Sequence, residues 1–468
     1  MKPARTLISL SLAVVALAAC AGPSPFVRTP TSLPASWKNA ASFPLASPTS
    51  DLSRWWRRFN DPTLNRLIAE ALVQNPDLAS ASARIRESRA RRAAEIAPLL
   101  PSLGGSAAAS SRAVNPSSGS SSQNNSYSAG LDASWEVDLF GRQRSLIQAA
   151  SANLGIAQEN FYSAQAALSS EIAIAYTNLR TAQAGLAILR RNVATREETS
   201  QLANWRQQAG ESDSLESSQA LSSLEQARAA IPALEQAAAR SRNLISLLSG
   251  RDPGSLDRLL DSSGKSIPTP PRSLAIGIPA DTLRQRPDVR AAGHTLLAAA
   301  ASTRAADARR YPSLNLSGTL GLSSLSASKL FNPQTATAGA IAGISSPIFD
   351  AGRIRANIQA ADAAEEQAYH AYRSTVLTAL SETEDALIAC RRTAERLASL
   401  ERATAAAREA DTLARLRYQA GEIDFLTVLD AQRSLLGLED SLLTTRADRT
   451  IAYIQLYKAL GGGWSSGS

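Results

Sequence analysis

At 468 residues, with a formal charge of +8, 5% aromatic residues and a single Met, the chain lacks the residues of a thick globular core and is rich in the Ala, Leu, Ser, Arg and Glu of extended helices. Its charge is spread as mixed signs along stretches such as RTAERLASLERATAAAREADTLARLR, which reads as solvated helix faces. A basic patch with interleaved stacking aromatics is missing, so the pattern argues against nucleic acid as a partner.

In chain order, residues 1–19 come first as a targeting segment: Lys2 and Arg5 precede the apolar run LISLSLAVVALA, which is short for a membrane span. The run ends in Leu17-Ala18-Ala19-Cys20, the small-residue pattern of a bacterial lipobox, which points to diacylglycerol on the Cys20 thiol and an acyl chain on its amine. An ordinary signal peptide with an incidental cysteine is the alternative. Several chains on one residue would anchor stably where one is marginal. No Asp follows Cys20 of the kind that retains lipoproteins in the inner membrane. The Pro- and Ser-rich stretch that follows makes residues 20–50 a lipidated tether.

From Asn75 onward the chain repeats itself at an offset of 211 residues: QAGESD at Gln208 returns as QAGEID at Gln419. Asn75-Pro76-Asp77 pairs with Arg286-Pro287-Asp288, Pro101-Ser102-Leu103 with Pro312-Ser313-Leu314, and Gly250 with Gly461. This is a tandem duplication, with a first repeat over 51–250, a linker over 251–280, a second repeat over 281–462 and a tail over 463–468. Each repeat should carry a helix, two strands, a long helix and a returning helix.

Asn75 is a good N-cap with Pro76 at the first helical position, whereas Arg286 is a poorer cap. Strands are expected at about 101–113 and 125–139, and again at about 312–324 and 336–349. In SYSAGLDASWEVDL, Tyr127, Leu131, Trp135 and Val137 share one face, with Asp132, Ser134, Glu136 and Asp138 opposite. Such alternation suits a membrane β-barrel, with Tyr127 and Trp135 toward lipid. A soluble hairpin packed on a helix would instead have to bury Asp132 and Glu136. Two strands per repeat make four per chain, whereas the smallest membrane barrels need about eight. An open edge in lipid would cost several kcal/mol per unpaired group, so the chain must oligomerise.

The longest helix is expected from Arg142 to Gln208, on the order of 100 Å. Leu168, Ile172, Ala175, Leu179, Ala182, Leu186, Leu189 and Val193 step along it as a strict heptad, the signature of coiled-coil packing. A shorter helix returns over about 215–248 with Pro232 interrupting it, and Leu429, Leu436 and Leu443 mark the same seam in the second repeat. QAGE is the hairpin between the two: Gly210 and Gly421 fit the left-handed position that ends a helix, and Asp213 and Asp424 cap the next. Two such hairpins per chain form the tips of a helical tube. No catalytic constellation, phosphate loop or metal cluster appears. His294 and His370 lack second ligands, Cys20 and Cys390 cannot make a disulfide framework, and Glu382, Glu384 and Asp385 are expected to face solvent or a lumen.

The lipobox Cys20, SWEVDLFGR (134–142), LRQRPDVRAA (283–292), YPSLNLSG (311–318) and RYQAGEIDFLTVLDAQRSL (417–435) together resemble the outer-membrane efflux channels, the TolC-like outer-membrane factors, and most closely their lipoprotein branch serving resistance-nodulation-division pumps. The resemblance implies a homotrimer: a twelve-strand barrel in outer-membrane lipid, continuous with a twelve-helix coiled-coil tunnel through the periplasm, docked on a periplasmic adaptor and an inner-membrane pump. It implies a passive exit duct for drugs or other small toxic compounds and no enzyme activity; cofactors are none beyond the covalent lipid. A type I protein-secretion duct shares the fold, and a periplasmic coiled-coil scaffold would not need the alternating strands. The FLTVLDAQ phrase would carry the periplasmic constriction. Leu426 and Asp430, four apart on one helix face, would form an apolar plug and a ring of like charges around the axis; the alternative packs Leu426 in the seam. Arg417 and Tyr418 would hold the tips together, with Glu216 as partner of either. Thr427 stands where some relatives carry a second Asp.

The lipobox reading is tested by mass spectrometry of the mature N-terminus. A lipid-modified Cys20 is expected, and an unmodified start at another residue would remove the lipoprotein assignment.

Overall fold

Runs of good helix formers propagate until a glycine in the left-handed region stops them, and this chain places those stops at repeat-related positions. The computed structural model describes residues 34–39, 45–46, 52–114, 122–261, 266–271, 274–275 and 284–465. The targeting segment, Cys20 and most of the tether lie outside them. In chain order the main elements are α1 (Pro62–Gln74), α2 (Pro76–Ile96), β1 (Ser102–Val114), β2 (Ser122–Val137), α3 (Arg142–Gln208) and α4 (Ser214–Leu248). They are followed by α5 (Pro287–Asp307), β3 (Ser313–Ser324), β4 (Ala336–Ser345), α6 (Arg353–Gln419) and α7 (Phe425–Ala459). Helices α2, α3 and α4 return as α5, α6 and α7 with both ends displaced by the same 211 residues.

Two compact units are present. One holds Arg84–Gln158 and Ala291–Arg373, and the other Ser32–Ala83, Glu159–Arg290 and Ser374–Ser468. The first contains an antiparallel sheet in the order β1-β2-β3-β4. Its register sorts the side chains by chemistry. Ala133 lies between Leu103 and Gly318, Leu131 faces Leu320, and Trp135 faces Leu316, which in turn faces Ala342. The opposite face carries Asp132 between Gly104 and Thr319, with Glu136 opposite Asn315. Ser106 donates to Asp132 at 2.9 Å, and Arg142 lies 3.2 Å from Glu136. The sorting is not complete: Ile341 and Ala108 lie on the polar face, in register with Ser317 and Ser128, and Ser111 opposite Asn125 lies on the apolar one.

Strand ends differ from expectation where turn chemistry intervenes. β4 stops at Ser345 rather than running to 349, because Pro347 has no amide to give the ladder; Ile348 and Phe349 beyond it are 99% and 89% exposed. The gap between the first two expected strands, about 114–124, is narrower, with strand to Val114 and again from Ser122, and 115–121 lie outside the described residues. In the same unit the His294 ring packs so closely on Gly155 that an added Cβ would meet it at 2.7 Å. His370 sits 3.7 Å from Glu366.

In the second unit the heptad is a packed seam: Leu168, Ile172, Ala175, Leu179, Ala182, Leu189 and Val193 are buried, and Leu186 is half-buried. Pro232 does not interrupt α4, which runs through it. Proline deprives only the Arg228 carbonyl of its helical partner, and both residues are exposed, so water can replace the missing bond. The core has a part the sequence reading did not name. Trp55 and Trp56 are buried, and Trp55 stacks on Tyr457 with ring centroids 5.6 Å apart. Cys390 is buried in the same cluster, and burial pushes its thiol up to about 12.

Segments expected to be peripheral are docked in this unit. Trp37, assigned to the tether, is buried, and Lys38 and Asn39 donate backbone amides to Glu384 at 2.7 and 3.2 Å. Within the linker, Leu256 and Leu260 are buried, Pro268 accepts from Thr450 at 2.7 Å, and Leu274–Ala275 pairs in parallel with Leu45–Ala46. Trp464 of the tail stacks on Tyr162 at 4.7 Å, with the Arg290 guanidinium 5.2 Å from its ring. Glu384 therefore does not simply face solvent or a lumen, whereas Glu382 and Asp385 are exposed as expected, Glu382 while taking a 2.7 Å bond from buried Arg286.

The repeats meet the same backbone demand with different residues. Asn75 caps α2 by accepting from the Asp77 and Leu78 amides at 2.9 and 3.0 Å, and its Nδ2 donates to the Leu248 carbonyl at 2.9 Å. At the related position Arg286 makes the corresponding bond, Nη1 to the Ala459 carbonyl at 3.1 Å, while Asp288 holds its other nitrogens at 3.0 and 2.6 Å. Each carbonyl closes a helix that ends in a glycine. Gly250 has φ +66, and a Cβ there would lie 2.4 Å from the Gln74 carbonyl oxygen.

Gly250→Ala should lower the melting temperature, since neither the positive φ nor the space admits a side chain. Gly437→Ala, with open space around it inside α7, should be neutral or stabilising by up to about 1 kcal/mol. Thermal unfolding of the two variants side by side checks the contrast; equal melting temperatures would contradict it.

Candidate functional site

Both hairpins are built by one device. Gly421 has φ +76, its amide donates to the Tyr418 carbonyl at 3.0 Å, and the Glu422 amide to the Arg417 carbonyl at 2.9 Å. Gly210, at φ +77, makes the matching bonds from itself to Gln207 and from Glu211 to Arg206 at 3.0 and 2.8 Å. This pair of bonds satisfies the last carbonyls of α3 and α6 and turns the chain back. Asp213 then caps α4 by accepting from the Leu215 and Glu216 amides at 3.0 and 3.1 Å. Asp424 caps α7 by accepting from the Thr427 amide at 2.9 Å and from the Thr427 hydroxyl. Those two bonds from Thr427 hold the Asp424 carboxyl below the usual carboxylate range. Thr427 is thereby committed to the cap.

Phe425, Val428 and Leu429 point back into the hairpins, where they cluster with Tyr418, Ala203, Ala220 and Ala414. Leu426 and Asp430 point the other way. Leu426 is 51% exposed, and the Asp430 side chain is 80% exposed, with Arg433 4.0 Å away. The leucine of this turn that packs in the seam of its own chain is therefore Leu429, not Leu426. The outer face of α7 offers, one turn apart, a bare apolar side chain and a carboxylate.

Tyr418 joins the two hairpins. Its ring is almost wholly buried beside Phe425, and its hydroxyl donates to Glu216 on α4. Burial first, and then this bond to Glu216, push the hydroxyl up to about 12. Arg206 completes the contact, its guanidinium 4.9 Å from the Tyr418 ring and 4.0 Å from Glu216. Arg417, expected here, is exposed instead. Sequence reading missed Arg206, although the 211-residue offset maps it onto Arg417 and would have found it. Farther along, Gln432 donates to Thr199 at 3.3 Å, and buried Arg196 donates to the Ser223 carbonyl at 2.9 Å.

Tyr127 and Trp135 are placed on the apolar face of β2, both half-buried. Cys20 lies outside the described residues. No helix among the described residues is long and apolar enough to cross a membrane, a finding that does not bear on strands.

The family model for outer membrane efflux proteins matches the chain twice, over residues 67–251 and 278–462. The chain belongs to the outer membrane efflux protein family. The two matches are displaced by the same 211 residues as the helices. Among curated relatives, the toluene efflux pump outer membrane protein TtgF of Pseudomonas putida is 32% identical over 98% of this chain and 97% of its own length. The cation efflux system protein CusC of Escherichia coli O6:H1 is 32% identical over 88% of both. The solved outer-membrane channel OprN superposes with a TM-score of 0.89 at 34% identity, covering 95% of this chain and 99% of that one. The fold is that of a TolC-like outer-membrane channel with barrel and helical tunnel, and the chain is an exit duct of the outer membrane, not an enzyme.

Tyr418→Phe should loosen the joined hairpins by about 1 kcal/mol, the worth of one such bond. Because the folded hydroxyl is raised to about 12, its contribution is present below the ordinary tyrosine range near pH ~10 and lost as pH climbs through 12. Amide exchange over 206–216 and 417–424 at neutral pH should quicken in the variant; unchanged exchange would show the bond to be idle.

Proposed function

We propose that the chain works as a homotrimer, the outer-membrane component of a tripartite pump, passing drugs or other small toxic compounds from an inner-membrane resistance-nodulation-division pump and its periplasmic adaptor to the outside. The observation that carries this is the sheet: four strands, one apolar face, one polar face and two unpaired edges. That arrangement suits a one-third share of a twelve-strand barrel whose polar face lines water. Covalent lipid on Cys20 would add a second hold on the outer membrane, independent of the barrel. Two relatives named for toluene efflux and for cation efflux fit a duct that accepts what its pump delivers.

The gate belongs at the second hairpin. Around a threefold axis Leu426 would occur three times as an apolar plug, which water leaves easily, and Asp430 three times as a ring of like charge, which repels anions. Exposure of both side chains on the single chain supports this, as a residue reserved for the axis is not buried within its own protomer. The Tyr418, Glu216 and Arg206 contact ties the hairpins within each copy.

Conductance of reconstituted trimers in planar bilayers tests the proposal. Leu426→Ala combined with Asp430→Ala should raise it severalfold with trimers intact by native mass spectrometry. Unchanged conductance in an assembled double variant would place the constriction elsewhere.

A further inference from the structure

The sheet carries almost no charge. β3 and β4 have none, β1 has only Arg112, and β2 has Asp132 and Glu136. All three lie on the polar face, where the register sets Arg112 opposite Asn124, Asp132 opposite Gly104 and Thr319, and Glu136 opposite Asn315. A channel wall so nearly neutral takes its preference among ions from whichever charge is left without a partner.

Two of the three are accounted for. Glu136 is neutralised by Arg142, 3.2 Å away at the start of α3. Arg112 lies outside the four-stranded region: β2 last pairs with β3 at Tyr127 and Ser324, whereas Arg112 and Asn124 belong to the two-stranded extension beyond that pair. At about 3.4 Å per residue, Arg112 stands roughly 27 Å along β1 from Gly104, the neighbour of Asp132. Asp132 remains. It is exposed, and its hydrogen-bond partner, the Ser106 hydroxyl at 2.9 Å, is neutral. Its row across the sheet reads Gly104, Asp132, Thr319, Gly339, so no side chain beside it is long enough to cover the carboxylate.

From this we infer that Asp132 sets the charge preference of the barrel, favouring cations over anions, a reading that rests on the trimeric duct proposed above. Symmetry would place the carboxylate of each copy at one level of the wall. Twelve strands about 4.8 Å apart and tilted by about 40° close at a radius of roughly 12 Å. The screening length is about 10 Å at 0.1 M salt and about 30 Å at 0.01 M, so such a ring acts on an ion at the axis in dilute salt and fades in concentrated salt. Glu136 with Arg142 leaves only a dipole, whose field falls off faster, and Arg112 acts on open solution.

Zero-current potentials across planar bilayers under a potassium chloride gradient test this. Full-length trimers carrying Leu426→Ala with Asp430→Ala supply a background without the tip carboxylate. Adding Asp132→Asn should lower the potassium-to-chloride permeability ratio several-fold at about 0.01 M salt and leave it nearly unchanged at about 1 M, where screening is complete within about 3 Å. Asp132→Ser should do the same. Asp132→Glu should keep the ratio, and so should Glu136→Gln with Arg142→Gln, which removes a neutral pair. Native mass spectrometry of the same variants reports assembly separately. A ratio unmoved by both neutral replacements of Asp132 in dilute salt, or lowered as far by loss of the neutral pair, overturns the role given to Asp132, while conducting trimers leave the duct reading standing. Monomers in native spectra of the unsubstituted protein would overturn both.

Discussion

Backbone amides in the middle of a bilayer have no water to turn to, and an unpaired one costs several kcal/mol. Most of this protein's architecture follows from that. A helix meets the requirement within itself, but none described here is apolar enough to cross. A sheet meets it only by closing, and four strands with two bare edges cannot close alone. Assembly is thus a condition of membrane insertion rather than an addition to it.

The duplication shows what has to be kept and what is free to change. Both helix returns keep glycine at a positive φ, because a Cβ at Gly250 would collide with the Gln74 carbonyl oxygen, and one at Gly461 would crowd the Gln285 and Arg286 backbone. Satisfaction of the neighbouring carbonyl is kept too, by an amide from Asn75 in one repeat and a guanidinium from Arg286 in the other. The second solution needs Asp288 and Glu382 to hold the buried charge, since an unpaired ion there would be strongly destabilising. The backbone need is conserved between the halves while the side chain that meets it is not.

At the tips the two repeats diverge for a purpose. Gln207 of the first hairpin corresponds to Tyr418 of the second, and only the tyrosine reaches across to Glu216. Each chain therefore has one tightly joined pair of hairpins, with Phe425, Val428 and Leu429 packed beneath and Leu426 and Asp430 left on the outside. In the trimer proposed above, a ring of such side chains would oppose its own closure by like-charge repulsion, so packing would hold it shut and opening would cost little.

Periodicity carried a great deal. Helix ends followed from glycines and caps that act within a few residues, the strand faces from alternation, and the seam from the heptad, because each is a local signal repeated along the chain. Residues 1–33 with Cys20 remain readable in sequence only. What local pattern could not reveal were contacts between residues distant in the chain: Trp37, Leu256 and Leu260 in the helical core and Pro268 bonded to Thr450, Trp55 stacking on Tyr457, and Arg206 beside the Tyr418 ring. These depend on which helix faces meet, and a composition that looks like tether or linker says nothing of the surface it will find. Alternation likewise determined that Trp135 and Asp132 lie on opposite faces, but only the tertiary register decided that Trp135 meets Leu316 and Asp132 meets Thr319, because pairing is set by where two separate strands come together in space.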